Sequence, residues 1–335
     1  MIVVRAPLRI SFVGGGTDLP DFYKKYPGKV ISTSIDKYVY VVINKTPLIN
    51  KVSARYALSE TVSNPKKLEH TRIKAALLDL GIEKGIEIGF FASLPSKTGL
   101  GSSSSFSVAL LKGLHSYLGK RMNNVEAAES ACRLEIDLVK EPIGKQDQYA
   151  AAIGGFNIFQ FNPDDTVGIH SVLLDYKNRL AFEDHLLIFY TGITRLASSV
   201  LKEQKANIDD KMQTLREMAD SVDEFRERLL QADFKGLGKL VDKGWKKKKT
   251  LASNVTNDVL ESLYDAGIEA GAWGGKVLGA GGGGCILFLV PSSKKETIRK
   301  QVFEAAKKNK LEDFQEMPIS LTQSGTEILY KSSEH

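Results

Sequence analysis

Cysteine is scarce in this sequence of 335 residues, which contains only Cys132 and Cys285. Two cysteines are too few for a metal site built on thiolates, and they fit buried thiols of a reducing compartment better than a disulfide. The sequence also lacks any apolar run near the roughly 18 residues that a membrane span needs. The first residues, MIVVRAPLRISF, include a charge and no small-residue cleavage site, so no secretory signal is predicted and we expect a cytoplasmic protein.

Neither sign of charge dominates the chain, which has 46 basic and 40 acidic residues and a formal net charge of +6. The two signs are interspersed, so the small excess is weak evidence for an anionic partner. The densest basic run, Lys246 to Lys249, lies where apolar residues recur at helical spacing, which favours a solvated helix face over a nucleic-acid patch. We therefore expect neither a nucleic-acid nor a membrane partner, although one or two of these lysines remain candidates for contact with a bound phosphate.

The length of the chain predicts two domains, because one hydrophobic core usually stops growing below this size. We place the first at residues 1–180 and the second at residues 181–335. Strand-like and helix-like segments alternate in the first part, and the second part is mostly helical with short strands, which indicates an α+β protein. The main predicted strands are 3–13, 30–35, 38–44, 86–91, 156–161, 185–190, 285–290 and 327–331. The main predicted helices are 69–80, 103–118, 125–139, 196–230 (one helix or a hairpin), 234–251, 257–270 and 294–309.

A glycine-containing loop leads directly into a helix in the segment PSKTGLGSSSSFSVALLKGLHSYL, residues 95–118. Such a loop directs free backbone amides and the positive end of the helix dipole at one point, which suits a triphosphate. The segment is not a P-loop, because no lysine follows its second glycine. The alternative is an ordinary helix that is capped by its own serines. The candidate nucleotide ligands are Gly99, Leu100, Gly101, Ser102, Ser103 and Ser104.

Three motifs in this order resemble those of the GHMP kinase superfamily: RAPLRISFVGGGTD at residues 5–18, the loop above, and KVLGAGGGGCILFL at residues 276–289. The resemblance implies transfer of a phosphoryl group from ATP, with Mg²⁺, to a small molecule. It also implies a two-domain α+β fold, with a ribosomal protein S5 domain 2-like N-terminal domain and a ferredoxin-like C-terminal domain. Taken alone, the third motif also fits a tight helix-to-strand connection.

Catalytic side chains are expected in residues 131–155, where carboxylates flank a break at Pro142 and Gly144. GKQDQY resembles the aspartate-centred motif of the sugar-kinase branch, which implies that Asp147 is the catalytic base. The alternative is that Asp147 caps the following helix. By the same resemblance, Arg9 lies against this aspartate and stabilises developing charge.

The resemblance implies a Mg²⁺ site made from Ser103 and Glu135. Glu141 is close in sequence and could replace Glu135 as the ligand. Glu135 could instead be a surface helix charge.

The form GGGTD at residues 14–18 occupies the position of the sugar-binding tripeptide of galactokinase-like enzymes, and Asp18 suits a vicinal diol. An Asx turn at Asp18 is the alternative. Together with GKQDQYAAAIGGFN and FYTGITRLASSVL, this form is similar to the kinases that phosphorylate the C1 hydroxyl of D-glycero-D-manno-heptose 7-phosphate. Arg195 is a candidate phosphate ligand, and the alternative is that it pairs with an acidic residue across the domain cleft. Lys248, Lys249, His70 and Arg72 are weaker candidates. The candidate substrate residues are Gly16, Thr17, Asp18, Arg195, Gly281 and Gly282.

The expected partner is therefore a small sugar phosphate, and the oligomeric state, including a homodimer, stays open. Rival interpretations are a fucokinase-like or galactokinase-like kinase of unphosphorylated sugars and a catalytically silent regulator that binds sugar and nucleotide. A dinucleotide-binding site is disfavoured, because the glycine cluster precedes its strand and no acidic residue follows at the required spacing.

Overall fold

The protein is described here as a computed structural model, which covers residues 1–95, 97–194 and 197–332. Its strands are β1 Ile2–Val13, β2 Gly28–Lys45, β3 Val52–Arg55, β4 Ser59–Val62, β5 Ile86–Ala92, β6 Phe156–Phe161, β7 Val167–Ser171, β8 Leu186–Tyr190, β9 Gly274–Val277, β10 Cys285–Leu289, β11 Gln315–Glu316 and β12 Glu327–Lys331. Its helices are α1 Pro20–Tyr23, α2 Thr71–Asp79, α3 Ser102–Tyr117, α4 Asn124–Cys132, α5 Gln146–Ile153, α6 Tyr176–Asp184, α7 Ala197–Ala206, α8 Met212–Leu230, α9 Phe234–Lys249, α10 Asp258–Glu269 and α11 Lys295–Lys308. Short 3₁₀ turns cover Pro65–Lys67 and Ser292–Lys294.

The first sheet is built around β2, which the sequence predicts as two separate strands. Its order is β12-β1-β2-β5-β3-β4, and β6 and β7 extend from β2. The break predicted between the two segments is a bulge, because Pro7 pairs with Tyr38 and the next residue, Leu8, pairs with Ile35. A bulge inserts residues without ending the ladder, so β2 remains continuous and reaches three neighbouring strands.

The second sheet has the order β11-β8-β10-β9 with antiparallel pairing throughout. Both of its faces are buried, which explains the unbroken apolar runs in β8 and β10. Cys285, Leu287 and Leu289 face one hydrophobic cluster, whereas Ile286 and Phe288 face the other, as the two-residue period of a strand requires. With helices between β8 and β9 and between β10 and β11, this sheet has the ferredoxin-like arrangement, and the predicted two-domain α+β fold is confirmed.

The last strand returns to the first sheet, where β12 pairs with β1. The boundary at residue 180 separates the two sheets except for this strand, and it remains a prediction. No helix in the described part of the chain combines the length and apolar character that a bilayer crossing needs.

Three predicted elements differ in detail from the structure. The predicted helix 125–139 is α-helical only to Cys132 and continues as a π-helix over Arg133–Leu138. The predicted segment 196–230 contains two helices, α7 and α8, so of its two predicted forms the single long helix is wrong. The expectation that the glycine cluster of the third motif, residues 279–284, joins a helix to a strand is wrong, because a further strand, β9, precedes the cluster and the glycine loop connects β9 to β10. Short strands such as β9 carry too few residues for a periodic signal.

Candidate active site

Residues from all three motifs line one cavity of about 400 Å³. The two sheets are joined beside it by Lys276 on β9, whose Nζ donates to the carbonyl oxygens of Ser11 (2.9 Å) and Phe12 (2.7 Å). The backbone amide of Cys285 also donates to the carbonyl oxygen of Thr98 at 2.9 Å. Hydrogen bonds from the second domain to backbone carbonyl oxygens of the first therefore fix the walls of the cavity.

The loop before α3 has the properties of an anion site. Gly101 is the N-cap of α3 with φ 78°, and among the described residues no side chain caps this helix. The first N–H groups of the helix therefore keep their capacity to bind a ligand. Gly99 also has a positive φ, and a Cβ there would lie 2.6 Å from the carbonyl oxygen of Leu278, so only glycine lets the second and third motifs pack this closely.

The serines of this loop differ in what they contact. Ser103 is exposed at the start of α3 and lines the cavity. Ser104 also lines the cavity, and its hydroxyl donates to Glu135 at 2.8 Å, whereas Ser105 donates to the carbonyl oxygen of Pro7 at 2.7 Å. The alternative of a serine-capped helix is wrong for α3, since its N-cap is Gly101. Leu100 is fully buried, and its carbonyl oxygen accepts from the Arg9 amide at 3.0 Å.

Asp147 and Arg9 form a two-point ion pair beside this loop. Arg9 donates from Nε to Oδ1 and from a terminal nitrogen to Oδ2 of Asp147, both at 2.9 Å. Its other terminal nitrogen donates to the carbonyl oxygen of Gly99 at 2.7 Å. A Cβ added to Gly101 would lie 3.4 Å from Oδ2 of Asp147, so the carboxylate is adjacent to the anion site. Asp147 is not the helix cap, because α5 begins at Gln146 and its N-cap is Lys145.

Asp18 lies in the same cavity and is buried. It accepts from the Gly16 amide (3.2 Å), from the Gln146 amide (3.2 Å) and from the Gln146 side chain (3.0 Å). Burial raises the pKa of the Asp18 carboxyl, and the charge of Asp147 raises it further. A Cβ on Gly144 would lie 2.1 Å from Oδ2 of Asp18, so glycine is required there for the approach of the two segments.

Glu135 is fully buried behind the cavity and accepts four hydrogen bonds. The π-helical segment presents its carboxylate to α2, α3 and α5, so the surface-charge alternative is wrong. The donors are Arg72 (2.9 Å), Ser104 (2.8 Å), Ser107 (2.8 Å) and Gln148 (2.6 Å).

Glu141 lines the cavity itself and pairs with Arg72 at 3.3 Å. No group of three or more histidine, cysteine or acidic side chains suited to a metal ion occurs among residues 1–95, 97–194 and 197–332. Mg²⁺ usually binds through one or two carboxylates together with phosphate oxygens, so Glu141 in the cavity wall fits the ion directly, whereas Glu135 would have to give up hydrogen bonds to bind it.

Two buried polar atoms that line the cavity have no hydrogen-bond partner in the described part of the protein. They are the hydroxyl oxygen of Ser11 and Nε2 of Gln204 on α7. Buried polar groups without partners are costly, so these two side chains in the cavity wall are candidates for contact with a polar ligand.

The structure brings three of the six sequence-predicted substrate residues to the cavity wall. Gly16, Asp18 and Gly281 line it. Thr17 is buried, and its hydroxyl donates to the carbonyl oxygens of Gly14 (2.8 Å) and Lys29 (2.9 Å). The amide of Gly282 donates to the carbonyl oxygen of Val255 at 2.6 Å. Arg195 lies outside the described residues.

Sequence reasoning missed several residues that line the cavity, namely Ser11, Gln146, Gln204 and Lys276. Gln146 could have been predicted from the sequence, because it is the neighbour of Asp147. Ser11 lies two residues after Arg9 in β1, and because the side-chain period of a strand is two, both side chains lie on the same face. Gln204 comes from a segment with no local signature, and Lys276 opens the third motif but had no role suggested by it, so only the packing of the second domain places them here.

Two family models match the chain. The model of the GHMP kinases N terminal domain matches residues 68–155, and that of the GHMP kinases C terminal domain matches residues 222–309. The first contains the glycine loop before α3 and Asp147, and the second contains the glycine hairpin, which is the loop of residues 279–284 between β9 and β10.

Individual relatives agree with this assignment. D-glycero-alpha-D-manno-heptose 7-phosphate kinase of Campylobacter jejuni is 30% identical over 317 residues, which cover 89% of this chain and 92% of that protein. Galactokinase of Thermococcus kodakarensis is 26% identical over 342 residues, or 90% and 93% of the two chains. The crystal structure of a D-glycero-D-manno-heptose 1-phosphate kinase from Bacteroides thetaiotaomicron has the same fold, with a TM-score of 0.81, 23% identity, and coverage of 99% of this chain and 100% of that one. The chain therefore belongs to the GHMP kinases, and within that family it is a sugar kinase that uses ATP.

Proposed function

We propose that this kinase transfers the γ-phosphoryl group of ATP to the C1 hydroxyl of D-glycero-D-manno-heptose 7-phosphate, giving the 1,7-bisphosphate for GDP-heptose and surface polysaccharide synthesis in the cytoplasm. The observation that carries the proposal is the placement of the Asp147–Arg9 pair between the uncapped start of α3 and the buried Asp18. The 30% identity to a heptose 7-phosphate kinase over most of both chains favours this sugar phosphate over others.

The proposed roles follow from these contacts. Asp147 accepts the proton of the attacking hydroxyl, and Arg9 orients the carboxylate and stabilises charge at the transferred group. The amides at the start of α3, from Ser102 to Ser104, hold the phosphates. Asp18 accepts hydrogen bonds from sugar hydroxyls, with Gly16 and Gly281 in the adjacent wall. Bound ATP supplies the phosphoryl group, and we assign the Mg²⁺ that accompanies it to Ser103 with Glu135 or Glu141.

A panel of four sugars tests the proposed substrate. ADP release is measured with heptose 7-phosphate, unphosphorylated heptose, fucose and galactose. We expect the highest kcat/KM for heptose 7-phosphate, and phosphorus NMR should detect a new anomeric phosphate in the product. A higher kcat/KM for an unphosphorylated sugar would support the fucokinase-like or galactokinase-like alternative. Absence of ADP release with every sugar would instead favour a silent regulator.

The unpartnered Nε2 of Gln204 gives a further prediction. Gln204→Leu should raise the KM for the sugar by about tenfold, because a bound hydroxyl loses a donor in a buried site. The free energy of unfolding should stay unchanged or rise slightly, since an unsatisfied group is removed. Steady-state kinetics and urea denaturation measure both effects, with Lys202→Ala on the exposed part of α7 as the control. An unchanged KM for every sugar would show that Gln204 does not contact the substrate.

A further inference from the structure

The basic run at the end of α9 is not a uniform surface. Three of its lysines form ion pairs with nearby acidic side chains and are at least partly exposed. The pairs are Lys246 with Asp242 (2.8 Å), Lys247 with Glu217, and Lys249 with Glu261 (2.7 Å). These three lysines fit the interpretation of the run as a solvated helix face.

Lys248 has a different environment from its neighbours. It is only 6% exposed and lines the cavity that contains Asp147 and Asp18. Its Nζ donates to the carbonyl oxygen of Gly279 in the glycine hairpin. No carboxylate within the described ranges forms an ion pair with it, unlike the other three lysines of the run. An ammonium group has three donors, so two N–H groups of Lys248 remain for a ligand.

The charges around Lys248 leave it incompletely neutralised. Burial lowers the pKa of its amine to about 8, and the nearby Arg9 acts in the same direction. The charges of Asp18 and Asp147 oppose this shift, but Asp147 already binds Arg9 at two points. Lys276, the other buried lysine of the cavity, has a pKa well below its usual value and is held by two backbone carbonyls. A buried cation without its own carboxylate is destabilised until an anion binds beside it.

We propose that Lys248 is a phosphate-binding residue that donates its two remaining N–H groups to a phosphate group of the bound reactants. The inference rests on the proposed function, because a kinase of sugar phosphates brings two kinds of phosphate into this cavity. One is the phosphate that the sugar already carries, and the other is the phosphoryl group in transfer. Both present the same chemistry to an ammonium, so the experiment separates them.

The test compares Lys248→Met with Lys247→Met, a matched change in the next residue of the same helix. Calorimetry measures binding of the sugar phosphate and of a non-hydrolysable ATP analogue, and kinetics give kcat. If Lys248 holds the phosphate of the sugar, Lys248→Met weakens binding of the sugar phosphate by about 10- to 100-fold and leaves binding of the analogue unchanged. If it holds the phosphoryl group in transfer, kcat falls by a similar factor with little change in sugar binding. Lys247→Met should change neither quantity, and equal values for both variants and the unmodified protein would overturn the proposal.

The pH dependence adds a readout that a structural role would not change. Lys248 is charged below about pH 8 and loses its proton above it, whereas a sugar phosphate is already dianionic above about pH 6. The affinity or kcat/KM that depends on Lys248 should therefore fall as the pH rises through 8, and Lys248→Met should remove this fall. Lys248→Arg, which stays charged, should shift the fall to higher pH and serves as the second variant if the methionine protein does not fold. A fall of the same size in Lys248→Met would contradict the assignment.

Failure of the proposed function is recognised separately, from the unmodified protein alone. If that protein turns over only unphosphorylated sugars, heptose 7-phosphate is not the substrate. The kcat of Lys248→Met with the accepted sugar then decides whether Lys248 binds the phosphoryl group in transfer, and an unchanged kcat overturns the inference.

Discussion

Asp147→Asn is expected to lower kcat by about 10³-fold and to leave ATP binding nearly unchanged. Asparagine keeps the shape of the side chain but cannot accept the proton of the attacking hydroxyl, and general-base catalysis contributes roughly 10² to 10⁴. The substitution also removes the charge that pairs with Arg9. ADP release measures the rate, and calorimetry with ATP measures binding.

Asp137→Asn is the matched control for this experiment, because Asp137 is an exposed carboxylate on the π-helical segment. Its kcat should equal that of the unmodified protein. If Asp147→Asn turned over at the same rate as this control, the assignment of Asp147 as the base would be refuted.

Glu135→Ala is expected to lower the free energy of unfolding by about 3 to 5 kcal/mol. The substitution removes a fully buried carboxylate and leaves its donors without an acceptor, among them the cation Arg72. Urea denaturation measures this loss. Glu135→Gln should lower the free energy of unfolding by less, because the amide oxygen still accepts some of the hydrogen bonds that the carboxylate accepts.

The same carboxylate tests the metal assignment. If Glu135 binds Mg²⁺ during the reaction, Glu135→Gln raises the Mg²⁺ concentration required for half-maximal activity. If Glu141 is the ligand, Glu141→Gln shows that increase instead, because Glu141 lines the cavity and has only one ion-pair partner among the described residues. A Mg²⁺ requirement in both variants equal to that of the unmodified protein would exclude both carboxylates as ligands.

Local chemistry explains why the motifs were identified correctly from the sequence. A glycine loop followed by an amphipathic helix specifies an anion site through backbone conformation alone, and α3 begins one residue before its predicted start. The Asp147 and Arg9 pair was expected from resemblance, and the structure places their side chains in contact. Their catalytic roles stay predictions.

Medium-range packing explains the errors. Helical spacing over residues 125–139 does not distinguish an α-helix from a π-helix, although the wider turn changes where the Glu135 side chain lies. In the sequence, the two extra residues that β2 carries opposite β1 resemble the end of a strand. In the structure they form a bulge, and the pairing of β2 with β1 continues on both sides of it.

The sequence by itself determined the family, the order of most elements, the glycine loop before α3 and the pair of side chains at its edge, because each depends on neighbouring residues or on a string of known form. Only the tertiary structure decided that Glu135 is buried, that Gln204 lines the cavity without a partner, and that Lys248 points inward while the lysines beside it pair at the surface. Helical periodicity fixes which side chains share a face, but the face that meets a cavity depends on how two domains pack together.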